Sequence, residues 1–254
     1  MSWFEVILLA VVEGLTEFLP ISSTGHMVLV SHFVQIQQSD FLKAFEVIIQ
    51  FGAILSVVLY YWRRFVSGRD LYIKLAIAFL PTGIIGFLLK KKVDMWLESP
   101  ILVAVSLLIG GVILVWSDRF FSKSTGKNAD ELTVKELASI GVIQSISMVP
   151  GVSRSAATIL GGLSMGLSRK AAAEFSFLLA VPTMLVATLY KLVKISDTLN
   201  SSGLSQILVG SIIAFIVALG TVHFLIHTVE RFGFRYFGYY RIGLGLGLLI
   251  LLLK

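Results

Sequence analysis

Residues 13–26 read EGLTEFLPISSTGH, and this stretch decides the fold. It lies between two apolar runs, WFEVILLAVV at 3–12 and MVLVSHFV at 27–34, so two glutamates and a histidine stand inside a hydrophobic segment. A carboxylate moved from water into hydrocarbon is costly unless it is paired, protonated or bound to a cation. The sequence therefore predicts a partner for these carboxylates.

The composition is that of a membrane protein. Of the 254 residues, 56% are hydrophobic and 14% are charged, whereas charged residues make up about 25% of a soluble domain. Several apolar runs are long enough to cross about 30 Å of hydrocarbon, which indicates an all-α, polytopic membrane protein. These runs lie at 41–62, 71–90, 100–117, 170–190 and 204–227, with a shorter one at 240–253.

Cysteine content and charge exclude several functions. The chain has no cysteine, which excludes disulfides, thiolate metal sites and cysteine nucleophiles. Its net charge of +6 comes from basic residues in short loops, a distribution typical of membrane topology. We therefore expect a lipid bilayer around the protein and no nucleic-acid partner.

The chain contains two similar halves, at about 1–127 and about 131–254. Five pairs of identical residues share one offset of 130. They are Pro20 and Pro150, Ser23 and Ser153, Phe45 and Phe175, Leu55 and Leu185, and Tyr60 and Tyr190. Each half opens with a polar interruption, FLPISSTGH at 18–26 and MVPGVSRSAAT at 148–158. Because proline and serine disturb helical hydrogen bonding, each interruption predicts two short helices that meet at a turn inside the membrane.

These features predict two inverted repeats, each with a re-entrant helix hairpin and three transmembrane helices. An odd number of crossings per repeat inverts the second one, which brings the two broken segments together near the midplane. The hydrophilic stretch TGKNADELTVKE at 125–136 is then a cytoplasmic linker, and the first hairpin enters from the outer face.

Loop charge supports this orientation, with thirteen basic residues inside and seven outside, although the run of lysines at 90–92 argues against it. The inner set is Arg63, Arg64, Arg69, Lys74, Arg119, Lys123, Lys127, Lys135, Arg169, Lys170, Arg231, Arg235 and Arg241. The outer set is Lys43, Lys90, Lys91, Lys92, Lys191, Lys194 and Lys254.

Glu13 and Glu17 are candidate metal ligands. They are four residues apart, so a helix places both carboxylates on one face at about 6 Å. Two adjacent anions in an apolar setting repel, so one takes a proton or both share a cation. Ligands that offer only oxygen suit a divalent cation such as Mg²⁺ or Ca²⁺. The alternative is that both are ordinary helix glutamates that face an aqueous vestibule.

The first turn carries hydroxyl groups. Ser22, Ser23 and Thr24 follow Pro20, where a hydroxyl either caps the next helix or acts as a nucleophile. His26 lies three residues beyond Ser23, which brings a base within reach of a hydroxyl. A packing role for the histidine is the alternative.

The second turn, PGVSRSAAT at 150–158, has the pattern of an anion site. Gly151 allows a turn, and Ser153, Arg154 and Ser155 stand where a helix begins. Free N–H groups at a helix start attract anions, and a guanidinium adds a planar pair of donors for phosphate oxygens. An arginine that extends to the membrane surface is the alternative. If the two turns meet, the site suits a phosphate ester or diphosphate bridged to a divalent cation.

The two motifs together resemble those of the bacterial undecaprenyl-diphosphate phosphatase family of integral membrane proteins, the bacitracin-resistance type. The similarity continues through FEVIIQ at 45–50, WRR at 62–64 and EFSFLLAVP at 174–182, so it covers nearly the whole chain. The resemblance implies removal of one phosphate from a C55 isoprenyl diphosphate, with a divalent cation, to give the lipid monophosphate that carries cell-wall precursors. It also implies a multi-pass protein of the bacterial cytoplasmic membrane, inverted repeats with re-entrant helices, and an active site open to the periplasm or cell exterior.

The resemblance also implies roles for individual residues. Glu13 and Glu17 match the acidic pair of the family, Ser23 and His26 its serine and histidine, and Arg154 its arginine. We expect substrate contacts from the remaining polar residues of the two turns, which are Ser22, Thr24, Gly151, Ser153, Ser155 and Thr158.

Several alternatives remain open at this point. Ser23 is the expected nucleophile, with His26 as the alternative nucleophile or as the base. A transporter or flippase of the lipid phosphate also uses inverted repeats with broken helices, and a protein that only binds an antibiotic–lipid complex is a third possibility. A homodimer is possible. Weaker expectations are that Glu46, Gln50 and Glu174 line the same cavity and that His32, His223 and His227 are structural.

Overall fold

The computed structural model describes residues 1–97, 99–121, 126–196 and 199–253, except for the side chain of Asp94. Within these ranges all extended regular structure is helical, which confirms the all-α prediction. The helices are α1 Trp3–Thr16, α2 Ser23–Phe33, α3 Asp40–Tyr60, α4 Trp62–Val66, α5 Arg69–Trp96, α6 Pro100–Phe120, α7 Val134–Gln144, α8 Arg154–Ser164, α9 Arg169–Ile195, α10 Ser201–Phe232 and α11 Arg235–Leu252. Short 3₁₀ helices occupy Ala129–Glu131 and Ser145–Met148.

Five of the described helices are long and apolar enough to cross a membrane, which makes the chain a multi-pass membrane protein. They are α3, α5, α6, α9 and α10. The predicted shorter span at 240–253 lies in α11, which has 18 residues. Its arginines, Arg235 and Arg241, and its aromatic first turns lower its hydropathy, so α11 does not count among the five on composition.

Each polar interruption folds as predicted, into two short helices joined by a turn. Helices α1 and α2 have 14 and 11 residues, and α7 and α8 have 11 each. At 1.5 Å per residue none is longer than about 21 Å, which is too short to cross the hydrocarbon alone. The first helix of each hairpin starts with a capping box, formed by Ser2 and Glu5 in α1 and by Thr133 and Glu136 in α7.

The order of helices in the first half recurs in the second. In both halves a capped short helix, a turn and a second short helix precede a long helix and two further helices, and the first half also has the five-residue helix α4. The capping boxes and the turn residues Ser22 and Ser153 are related by an offset of 131, one more than the offset of the proline pair. The inversion of the halves across a membrane and their boundaries stay predictions.

Close helix contacts hold the two halves together. Helices α1 and α3 pack on α10, α7 packs on α5, and α3 packs on α9. A Cβ atom at Gly52 would collide with the backbone of Ser211 in α10, and one at Gly141 with the backbone of Ala78 in α5. These two positions therefore need glycine so that the helices can approach backbone to backbone.

Arg241 corrects one sequence prediction. Counted among the cytoplasmic loop cations, it lies instead inside α11 with its side chain completely buried. Its charge binds polar backbone groups within the protein and so says nothing about topology. Lys123 and Lys254, which also entered that charge count, lie outside the described residues, and the orientation stays a prediction.

Candidate active site

The first turn brings a hydroxyl and a carboxylate together. Glu17 directly follows α1, where its N–H donates to the carbonyl of Glu13 at 2.9 Å. Ser23 opens α2 after the chain reverses, and its Oγ donates to Glu17 Oε2 at 2.8 Å. Both side chains are buried. The acceptor of the serine proton is therefore already in contact with the serine.

The second turn adds the arginine. Arg154 begins α8, and its Nη2 donates to Glu17 Oε1 at 2.7 Å across 137 residues of sequence. Both side chains are buried, so this ion pair lies in the protein interior. The two motifs therefore meet in one site.

Arg154 is held on one side and open on another. Its Nη1 donates to the carbonyl of Ser176 in α9 at 3.1 Å. Ser155 ties the same helix start to the first turn, because its Oγ donates to the carbonyl of Leu19 at 2.9 Å. The Nε group of Arg154 is buried without a hydrogen-bond partner among the described residues. A buried donor in this state fits a site that receives an anion.

Glu13 is the second acidic group of the first hairpin. Its side chain is fully buried, and neither carboxylate oxygen has a hydrogen-bond partner among the described residues. Glu17 and, more weakly, Glu46 of α3 lie close enough for their charges to interact with that of Glu13. Orphaned carboxylate oxygens fit a bound cation, and Glu17, whose two oxygens each accept one hydrogen bond, keeps further lone pairs.

A cation at this position would have few protein ligands. Among the described residues no group of three or more histidine, cysteine or acidic side chains is arranged to hold a metal ion. Glu13 and Glu17 therefore offer two carboxylates, and the remaining ligands would be water and substrate oxygens. Mg²⁺ is commonly bound in this way, through one or two carboxylates together with phosphate.

His26 faces away from the serine. Its Nδ1 lies 2.8 Å from the carbonyl oxygen of Ser22, which only accepts, so Nδ1 carries the proton. Nε2 then accepts from the hydroxyl of Tyr240 in α11 at 2.9 Å, and the two rings are nearly parallel with centroids 5.5 Å apart. The expected approach of His26 to Ser23 is not seen, because the hydroxyl of Ser23 bonds Glu17.

Most of the other predicted turn residues form the frame of the site. Ser22 and Ser153 cap α2 and α8 by accepting from the backbone N–H three residues later. Gly151 has φ 90°, which favours glycine, and Thr158 donates to the carbonyl of Arg154 at 2.9 Å. Thr24 is half-buried. Substrate contacts from these residues stay predictions.

The structure places one weaker candidate elsewhere. A cavity of about 350 Å³ lies between α4, the linker and α9, and it contains no residue of either hairpin turn. Glu174 lines this cavity, together with Arg64 and Asp130, rather than the site at Glu17. Arg64 and Asp130 form an ion pair there, with Nη2 of Arg64 3.3 Å from Oδ1 of Asp130.

Sequence reasoning missed two residues of α11 that contact the site. Tyr240 binds His26, and Arg241 binds both turns through backbone carbonyls. The signal for Arg241 was present, because a basic residue inside an apolar segment indicates a functional or buried role. Arg241 falls at the start of the shorter apolar run at 240–253, yet the charge count assigns it to a loop. Tyr240 had no comparable signal among the aromatic residues near the membrane boundary.

Comparison with known proteins identifies similar chains over the full length. The family model described as bacitracin resistance protein BacA matches residues 6–247. A relative from Bdellovibrio bacteriovorus, named undecaprenyl-diphosphatase, is 56% identical over 99% of this chain and 97% of its own. Relatives with the same name from Flavobacterium psychrophilum and Aquifex aeolicus are 48% and 44% identical, and each alignment covers at least 96% of both chains.

Proposed function

Because the chain belongs to the family of the bacitracin resistance protein BacA, we propose that it is a phosphatase that removes the terminal phosphate of undecaprenyl diphosphate. The product is undecaprenyl phosphate, which returns to use as the lipid carrier for cell-wall precursors. One observation carries the chemical part of this proposal. Glu17 from the first half and Arg154 from the second are in contact at 2.7 Å, so a single phosphate group can reach both motifs.

The diphosphate binds at the second turn. The start of α8 offers backbone N–H groups and the positive end of the helix dipole. The unpartnered Nε of Arg154 supplies a charged donor in the same place. In a water-poor site these donors stabilise charge on the phosphate oxygens more strongly than water does.

The first turn supplies the nucleophile. The Oγ of Ser23 attacks the terminal phosphorus, the bond from that phosphorus to the bridging oxygen breaks, and the lipid monophosphate leaves with the bond's electron pair. The proton of Ser23 passes to Glu17 Oε2, which already accepts it at 2.8 Å. Water then cleaves the phosphoserine. His26 is the alternative nucleophile, but its Nε2 must first lose the hydroxyl of Tyr240.

The acidic pair holds a divalent cation, Mg²⁺ or Ca²⁺. Glu13 offers two buried oxygens without a partner, and Glu17 adds further lone pairs. When bound, the cation supplies Lewis-acid stabilisation of phosphate oxygens. The chain's own contribution is to keep these carboxylates together in an apolar environment, where repulsion between them favours the uptake of positive charge.

The substrate reaches this site from the lipid phase. The five long apolar helices place the chain in a membrane, and we assign it to the bacterial cytoplasmic membrane, with the site open to the outer face. A polyprenyl chain of this length lies along an apolar surface between helices while its diphosphate occupies the polar site. An assembly of two copies stays a prediction.

Phosphate release from purified undecaprenyl diphosphate, with and without divalent cation, tests the function. Wild-type protein is expected to release one phosphate per lipid, and cation removal by chelation is expected to abolish release. Absence of release under all cation conditions would contradict the proposal. The transport alternative gains no support, since the relatives above are named for a phosphatase activity.

A further inference from the structure

Arg241 lies where the two hairpin turns meet. Its side chain is completely buried, and its guanidinium donates four hydrogen bonds, all to backbone carbonyls. Nη1 donates to the carbonyl of Pro20 at 3.2 Å and to that of Val152 at 2.9 Å. Nη2 donates to the carbonyl of Gly151 at 2.9 Å and to that of Ser106 at 3.2 Å. One side chain therefore joins the first turn, the second turn and α6.

The charge of Arg241 is compensated by dipoles alone. Among the described residues no carboxylate pairs with it, in contrast to Arg154, which pairs with Glu17. A buried cation in a membrane protein is costly without compensation, and so is an unpaired backbone carbonyl in a turn. The two Nη groups of the guanidinium and the turn carbonyls satisfy each other, while Nε has no partner among the described residues. Removal of the guanidinium therefore leaves the turn carbonyls unpaired.

The carbonyls that bind Arg241 are close in sequence to the reacting groups. Pro20 comes three residues after Glu17, and Val152 comes two residues before Arg154. A displacement of either turn therefore moves one member of the Glu17–Arg154 pair relative to the other. The hydrogen bonds to Arg241 fix the distance between the two turns through the backbone. The ion pair between Glu17 and Arg154 joins the same turns through side chains.

The shape of the guanidinium matters for this contact. Arginine presents five donors in one rigid plane, whereas lysine has three donors at a single point and is not an equivalent substitute. Space for the plane comes from Gly110 in α6, where an added Cβ atom would collide with Nη2 of Arg241. A residue with a side chain at that position would displace the guanidinium without removing it.

We propose that Arg241 is a positioning residue for the phosphatase reaction. By binding Pro20, Gly151 and Val152 at once, it holds the two turns at the separation that keeps the serine, the carboxylates and Arg154 around one phosphate. The inference rests on the proposed function. It adds a residue that touches neither substrate nor cation and acts only through the backbone of the two turns.

Two variants and a matched control test the proposal. Arg241→Lys keeps the charge and loses the plane, and Gly110→Ala moves the guanidinium. Gly243→Ala is the control, because a Cβ atom at that position in α11 meets nothing within 4 Å. For each purified protein, kcat and KM for undecaprenyl diphosphate are measured below its melting temperature and divided by the folded fraction from size-exclusion chromatography.

Misplacement of reacting groups by about 1 Å costs about 100-fold in rate. We therefore expect kcat to fall about 100-fold in Arg241→Lys and about tenfold in Gly110→Ala, while KM changes less than about threefold. Gly243→Ala is expected to match the wild type. A role in stability alone would lower the melting temperature and leave kcat per folded molecule unchanged.

The proposal is overturned if folded Arg241→Lys and Gly110→Ala both keep the wild-type kcat, or if Gly243→Ala loses as much as Gly110→Ala. It is also overturned if neither variant yields folded protein, since Arg241 would then serve folding. Failure of the proposed function has a different signature, because the wild-type protein itself would then release no phosphate.

Discussion

The two hairpin turns share a backbone conformation and differ in how far their polar groups are satisfied. Ser22 and Ser153 have φ values of 71° and 76°, and each accepts a hydrogen bond from the N–H three residues later. In the second hairpin Ser155 and Thr158 also bond protein groups. In the first, the oxygens of Glu13 have no partner among the described residues.

The comparison separates the supporting part of the site from the reactive part. The second hairpin is a fixed support that presents Arg154, and the first holds a carboxylate that is still open to a ligand. Gln144 of α7 is an intermediate case. It is as deeply buried as Glu13, and its amide nitrogen donates to Thr82 at 2.8 Å and to Thr183 at 3.3 Å, while its Oε1 has no hydrogen-bond partner among the described residues.

The largest effect is expected from Arg154, the charged side chain that the second hairpin contributes to the site. Arg154→Ala removes the charged donor and leaves Glu17 unpaired, so phosphate release should fall at least about 1000-fold. Arg63→Ala is the matched control, because Arg63 is exposed and lies over the ring of Trp62. Release by Arg154→Ala at more than a few per cent of wild type would remove Arg154 from the site.

Replacement of a serine in each turn distinguishes a residue needed for the reaction from one needed for stability. Ser23→Ala should lower phosphate release at least about 100-fold, because it removes the proposed nucleophile. Ser153→Ala removes a helix cap and should mainly cost about 1 kcal/mol of stability, measured by thermal unfolding in detergent. Substantial turnover by Ser23→Ala would assign the attack to His26 or to water.

The stability of the protein should respond in opposite ways to substitution of Glu13 and of Gln144. These are buried polar residues in the first helix of the first and of the second hairpin. Glu13→Gln removes an unpartnered buried carboxylate, so the protein should gain about 1 to 3 kcal/mol of stability while it loses activity and its response to added cation. Gln144→Ala breaks two hydrogen bonds and should lose about 1 to 3 kcal/mol. Thermal unfolding with and without Mg²⁺ checks both, and a destabilised Glu13→Gln would mean that Glu13 has a partner without the cation.

Removal of the hydrogen bond between Tyr240 and His26 distinguishes attack by Ser23 from attack by His26. Tyr240→Phe removes the hydroxyl that donates to Nε2 and leaves the ring in place. If Ser23 attacks, phosphate release should fall by up to about tenfold, because His26 loses its orientation. A rise in the rate would instead indicate that the released Nε2 is the nucleophile.

The smallest effect is expected at the start of α7. The hydrogen bond from Lys127, together with those from Thr133, lowers the pKa of Glu136 to about 2 from an ordinary value of 4.5. A lowered pKa stabilises the fold above pH 4.5, and this contribution is lost as the pH falls from there to about 2. Compared with Glu136→Gln, the wild-type melting temperature should be slightly higher at pH 6, and the advantage should disappear near pH 2.

The sequence was sufficient for the fold class and for the expectation that the two hairpin turns meet. Apolar runs predicted the five long helices, and the proline and serine interruptions predicted the two hairpins, because both depend on local chemistry. That Glu17 and Arg154 face each other was expected from the similarity of the two halves, which brings their broken segments together; the direct ion pair between them was not predicted.

Orientation within the site was not predictable in the same way. Spacing allowed His26 to face Ser23, but the positive φ of Ser22 turns the start of α2 so that the ring meets Tyr240 and the carbonyl of Ser22. The hydrogen-bond partners of Arg241 depend on how helices far apart in sequence pack together. Local periodicity does not predict such packing.

The four hydrogen bonds of Arg241 also set an order of events during synthesis. The chain leaves the ribosome from its N-terminus, and the carbonyl of Pro20 is made 221 residues before the guanidinium that binds it. Until α11 is inserted, the first hairpin sits in the bilayer with an unpaired carbonyl and buried carboxylates. Nascent chains halted before residue 241 should therefore be inactive and preferred targets of membrane proteases.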